Sequence, residues 1–242
     1  MIISAIKIIF LLGFLIFIHE GGHFTVAKLC NVKVNQFAIG FGPKVIEYQG
    51  KETLYALRLI PLGGFVSMEG ENGDSTDERA FNKATIPKRI AIIVAGAAIN
   101  IFFGLIIYFI LASFIYGSIG LGIKALGNYA FALIESIKMI FTGNVGIDDL
   151  TGPVGISGVI SQTSNLKEYL YMMSIISTSL GITNLLPVPA LDGGKIVILI
   201  IEAIRKKPLK QETEIQIQLL GFSILIVLAL VVTYNDVVRI IK

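Results

Sequence analysis

Four apolar runs, each about twenty residues or longer, constrain this chain before any other feature does. They lie at about residues 2–28, 90–116, 169–190 and 214–235. At about 1.5 Å per helical residue, each reaches across the roughly 30 Å hydrocarbon core of a bilayer. A backbone in lipid must satisfy its own hydrogen bonds, so runs of this length fold as helices. Composition agrees, since 54% of the 242 residues are hydrophobic and 15% are charged. The expectation is an α-helical polytopic membrane protein with about four transmembrane helices. The first run lacks a basic n-region and an A-x-A site, so it reads as a retained span rather than a signal peptide.

The segments between the runs have their own patterns. Residues 32–68 are rich in glycine, aromatic and β-branched residues, with turns at Gly40, Gly42-Pro43 and Gln49-Gly50. They predict a membrane-associated β-hairpin or small sheet after the first span. The acidic stretch Glu69 to Arg79 reads as a solvated loop. Residues 123–142 mix Lys124, Asn128, Glu135 and Lys138 with apolar residues and predict an amphipathic helix on the membrane surface. Asp148-Asp149 reads as a solvated loop. The single cysteine, Cys30, excludes a disulfide framework and reads as a packed thiol. No basic stretch interleaved with aromatics points to nucleic acid.

Basic residues set the expected orientation. Nine Lys and Arg lie in and beside the connection after the first run, from Lys28 to Arg89. Arg205, Lys206, Lys207 and Lys210 follow the third run, whereas the second connection has only Lys124, Lys138 and Lys167. The positive-inside rule then places the first and third connections in the cytoplasm and both termini outside an inner or plasma membrane.

The chemistry is concentrated at the end of the first run. His19-Glu20-Gly21-Gly22-His23 contains both histidines of the chain. Histidines at i and i+4 share one helix face and can hold one Zn2+, with the intervening glutamate as general base on a bound water. Ionisable groups inside a span are expensive and default to function. A catalytic zinc site needs a third protein ligand, here a carboxylate or Cys30. The best candidate is Asp192, in Asn184-Leu-Leu-Pro-Val-Pro-Ala-Leu-Asp-Gly-Gly194, where two prolines and two glycines break a helix. On its own, Asp192 would read as a helix cap. Depth favours ligation, because His19 and Asp192 each fall about 30 Å along parallel spans. Asn100 and Asn184 are candidate oxyanion donors, and each reads equally well as a helix–helix hydrogen-bonding residue.

Four motifs, His19-Glu-Gly-Gly-His23, Pro61-Leu-Gly-Gly-Phe-Val66, Gly152-Pro-Val-Gly-Ile156 and Asn184 to Gly194, occur in this order. With them the chain resembles the site-2 protease family of intramembrane zinc metalloproteases, and within it the bacterial regulator-of-sigma-E-protease branch. The resemblance implies zinc ligation by His19, His23 and Asp192, Glu20 as base, and a membrane-associated hairpin whose edge pairs with unwound substrate. It implies one membrane-embedded metalloprotease domain over 1–242, with the active site towards the cytoplasm. Substrates would be single-span membrane proteins such as anti-sigma-factor-like proteins or signal-peptide remnants. Two departures stand out. The second span reads Gly96-Ala-Ala-Ile-Asn100 without the family's usual proline. The connection Gly117 to Thr151 is too short for the usual PDZ domain. A metal transporter and a non-catalytic membrane binding protein are the alternative classes. The lack of an inverted repeat or histidine-rich loop opposes the first, and the intact Glu20 opposes the second.

Overall fold

The computed structural model describes every residue except Met1, Asn72, Asn144, Val145, Ile147, Asp148, Asp149 and Lys242. The Asp148-Asp149 expectation therefore lies outside the described residues. Helix α1 (Ile2–Leu29) is followed by strands β1 (Val34–Gln49) and β2 (Leu54–Met68). Six helices follow: α2 (Ile86–Tyr116), α3 (Ile119–Phe141), α4 (Pro153–Gln162), α5 (Leu166–Asn184), α6 (Asp192–Arg205) and α7 (Gln211–Ile241).

Among the described residues, α1, α2 and α7 are long and apolar enough to cross a membrane. The third expected span, 169–190, falls on α5, which stops at Asn184 and is not one of these three. The reason lies in its sequence. Ser174, Ser177 and Thr178 form a fully buried polar stripe, and α5 presents that stripe to protein rather than to lipid. Ser174 and Thr178 return their hydroxyls to carbonyls one turn back, Ser174 to Tyr171 and Thr178 to Ser174 and Ile175. Helix α2 runs unbroken through Gly96 to Asn100, so the missing proline leaves it continuous.

The chain packs as two compact units, one of residues 9–101 and 179–222, the other of residues 1–8, 102–178 and 223–242. In the first unit the two strands form an antiparallel sheet with several register shifts. Gln36 to Ile39 pair with Leu54 to Leu57 on one side and with Gly64 to Ser67 on the other. Lys44 to Gln49 pair with Leu54 to Arg58. The 64–67 stretch therefore has a strand partner on one side only, among the described residues. Ala27, Val32, Val34, Met68, Phe81, Ile92, Ile93 and Leu199 form the core beneath, and Cys30 packs against it as a free thiol.

The acidic stretch is a solvated loop held by side-chain anchors. Glu69 accepts from Asn35 at 2.8 Å and from Ser75 at 2.6 Å, and Lys33 donates to Asp77 at 2.9 Å. The Lys33 ammonium holds the Asp77 carboxyl below the usual range, and the Ser75 hydroxyl does the same for Glu69.

In the other unit, Ser118 caps α3 by accepting from the Leu121 amide. Residues 117–152 hold this helix and no strand among the described residues. Tyr129 of α3 stacks on Tyr108 at 4.1 Å and meets the Thr178 hydroxyl at 2.5 Å. Helix α4, whose own N-cap Gly152 has no side chain, is capped from α7. Asp236 accepts from the Gly152 amide at 3.2 Å and the Gly155 amide at 2.8 Å.

Candidate metal centre

The residues that sequence reasoning singled out converge within the 9–101/179–222 unit. In α1, His19 and His23 stand one turn apart, and their Nε2 atoms are 3.2 Å from each other. Oδ2 of Asp192, at the start of α6, lies 3.2 Å from His19 Nε2 and 3.4 Å from His23 Nε2. The capping alternative for Asp192 fails locally. The N-cap of α6 is Leu191, no side chain caps the helix, and the Asp192 carboxylate turns to the histidines instead.

Two of the three atoms, His23 Nε2 and Asp192 Oδ2, present bare lone pairs to the cluster. His23 Nδ1 is 2.9 Å from the Ile92 carbonyl, and only a ring N–H can bond there, so the neutral ring presents a bare Nε2. Asp192 Oδ2 is buried and accepts no hydrogen bond among the described residues. Such buried acceptors repel one another unless a cation lies between them. Tetrahedral zinc ligands at about 2.0–2.1 Å stand about 3.3 Å apart, which matches the three separations here. The donor set, two imidazoles and one carboxylate, has the composition of a three-ligand catalytic zinc site, which leaves a fourth position for water or substrate.

Glycines bring the supports into register. A Cβ on Gly22 would lie 2.5 Å from the Ala95 carbonyl oxygen, and a Cβ on Gly96 would overlap the His23 ring. Helices α1 and α2 therefore touch backbone to backbone beside the ligands. Asn100, fully buried, places its amide 3.4 Å from His19 Nδ1, on the far side of the ring from the cluster. Asn184 closes α5 and is not among the residues lining the cavity around the cluster.

That cavity, about 190 Å3, is lined by His19, Glu20, His23 and Asp192, by Gly64, Phe65, Val66 and Met68 of β2, and by Glu71, Ile93 and Lys195. Gly64, Phe65 and Val66 belong to the Pro61-Leu-Gly-Gly-Phe-Val66 motif, whereas nothing in the sequence singles out Met68, Glu71, Ile93 or Lys195. Glu71 and Lys195 form an ion pair at 2.8 Å, and Glu71 holds the Lys195 ammonium above the ordinary lysine range.

This fold and donor set define a membrane metallohydrolase of the site-2 protease class. The chain belongs to peptidase family M50, whose profile it matches over residues 7–228. It is 30% identical to a protein of Clostridium acetobutylicum assigned as a zinc metalloprotease, over 93% of this chain and 95% of that one. It is 26% identical to a protein of Helicobacter pylori with the same assignment, over 96% of this chain and 98% of that one. A Streptococcus pyogenes relative is also 26% identical, over 98% and 99% of the two chains. These alignments run to 321, 342 and 419 positions, so the relatives carry internal segments that this chain lacks. The chain is a membrane zinc metalloprotease.

Proposed function

We propose that this enzyme is an intramembrane endopeptidase that cuts single-span membrane proteins within or near their transmembrane segment. The observation that carries the reading is the convergence of His19, His23 and Asp192, with Glu20 lining the same cavity, on a helix apolar enough to span a bilayer. His19, His23 and Asp192 would hold the metal, which when bound supplies an acidified water and polarises the scissile carbonyl. Glu20 takes the proton as the water attacks and returns it to the leaving amine. The free side of Gly64 to Ser67 holds the substrate backbone as an added strand, which requires the substrate helix to unwind first. Asn100 orients His19 from behind.

The charge pattern supports a site towards the cytoplasmic face, with both termini outside an inner or plasma membrane. The short connection through α3 supports a single domain without a PDZ module. The apolar exposed face of α3 suits contact with the bilayer surface. Anti-sigma-factor-like proteins and signal-peptide remnants fit as substrates. The test is cleavage of a model single-span substrate by purified protein, with fragment masses read with and without a chelator. Cuts inside the apolar segment that stop on chelation and return with zinc are expected. Metal-dependent cutting confined to soluble regions would overturn the intramembrane reading.

A further inference from the structure

The loop that delivers Asp192 is held in an unfavourable shape by a residue with no part in the chemistry. Between α5 and α6, Ala190 has φ +74°, a left-handed conformation that its Cβ opposes. The other loop amides leave it little support. Pro187 and Pro189 have no N–H, and Val188 and Leu191 bond within the loop. The Ala190 N–H instead donates to Gln218 Oε1 of α7 at 2.6 Å. One turn on, Gly221 lets Pro189 press onto α7, since a Cβ there would lie 2.6 Å from the Pro189 carbonyl carbon and closer still to its oxygen. On the other side, Gly193 and Gly194 of α6 leave no room for a side chain against the carbonyls of Leu186 and Val188. The loop is clamped on both sides, and Asp192 leaves the clamp two residues after Ala190.

We propose that Gln218 is a positioning residue for the metal. It locks Ala190 in its left-handed conformation and thereby fixes the direction in which the Asp192 carboxylate reaches the histidines. The inference rests on the reading of Asp192 as a ligand. It assigns α7 a role in the site although α7 contributes no ligand. The amide acts through its oxygen. Its Nε2 is buried and has no hydrogen-bond partner among the described residues.

The test uses the full-length protein in detergent, with zinc affinity measured by chelator competition and thermal unfolding measured on the metal-free form. Gln218→Leu removes the acceptor, and zinc affinity should fall by about 10–100-fold, the range for lost supports of metal ligands. Gln218→Glu keeps an acceptor and should stay within about threefold of wild type. Ala190→Gly lowers the cost of the left-handed conformation, so adding it to Gln218→Leu should recover much of the lost affinity. General damage to packing would not be recovered in this way. Asp192→Ala separates the two claims. If it loses zinc while Gln218→Leu does not, the positioning role is overturned and the ligand reading stands. If both keep wild-type affinity, the ligand reading falls and takes this inference with it. A loss in Gln218→Leu that the glycine leaves untouched would also overturn the positioning role.

Discussion

Gly96 of α2 stands so close to the imidazole of His23 that a Cβ there would lie 2.7 Å from Cε1, 2.8 Å from Cδ2 and closer still to Nε2. Gly96→Ala therefore forces the ring or the helix to move. Alanine is the better helix former by about 1 kcal/mol, so propensity does not oppose the change. The movement takes Nε2 away from His19 and Asp192. Zinc affinity should drop by about 10–100-fold, as when the support of a metal ligand is lost. Chelator competition on the purified variant checks this, with metal-free unfolding as the control. Unchanged affinity would mean that α2 shifts freely and that the glycine has no bearing on the site.

Glu20→Gln separates catalysis from metal binding. Glu20 lines the cavity but is not one of the three clustered donors. Metal content should stay near that of wild type while cleavage falls by about 10²–10⁴, the usual contribution of a general base. Metal analysis and single-turnover cleavage on one preparation decide it. A variant that loses zinc and activity together would make Glu20 a ligand rather than a base.

The convergence of His19, His23 and Asp192 was partly legible in the sequence because part of it is written in local spacing. His19 and His23 are separated by one helical turn, and Asp192 is marked by the prolines and glycines that break the chain before it. What could not be read arises between elements far apart in sequence. Glu71 meets Lys195 and Gln218 meets Ala190 only after folding. Helix α5 reads less apolar than the other expected spans because its buried face is made of Ser174, Ser177 and Thr178. Helix α3 begins at Ile119 rather than 123, where Ser118 supplies the cap by accepting from the Leu121 amide. Helices α4 and α6 escaped notice because their starts depend on partners or tight loops rather than on a local capping residue.

Asp236 should prove a structural residue of the other unit. It is buried and accepts from the Gly152 and Gly155 amides at the start of α4. This explains both glycines of the Gly-Pro-Val-Gly motif, whose Cβ atoms would lie 2.7 Å and 2.9 Å from its carboxylate oxygens. Asp236→Ala removes the cap and leaves two buried amides unsatisfied, at a cost of about 2 kcal/mol or more. Asp236→Asn keeps one acceptor and should cost less. Denaturant unfolding in detergent ranks the three proteins, and zinc affinity should not change. Equal stability of all three would show that water satisfies the amides.

The segment after β2 should loosen at acid pH. Its strand-like hydrogen bonds, Glu69 N–H to the Lys33 carbonyl at 2.9 Å and Phe81 N–H to the Glu69 carbonyl at 2.7 Å, depend on the side-chain anchors of Glu69 and Asp77. Both carboxyls titrate below their ordinary values in the folded protein, Asp77 because of Lys33 and Glu69 because of Ser75 and Asn35. A depressed carboxyl contributes stability that is fully present above its unfolded pKa, about 4, and is lost as pH falls through the lower folded value. Lys33 shifts the other way, upward, because of Asp77, so its contribution is lost only in strong alkali. Amide exchange across residues 69–81, corrected for the intrinsic pH dependence, should therefore show constant protection through the neutral range. Protection should fall below about pH 4. Asp77→Asn should lower the neutral plateau and shrink the acid limb to the part that Glu69 contributes, because one of the two titrating carboxyls is gone. A variant whose acid limb kept its full depth would place the responsible protonation elsewhere in the chain.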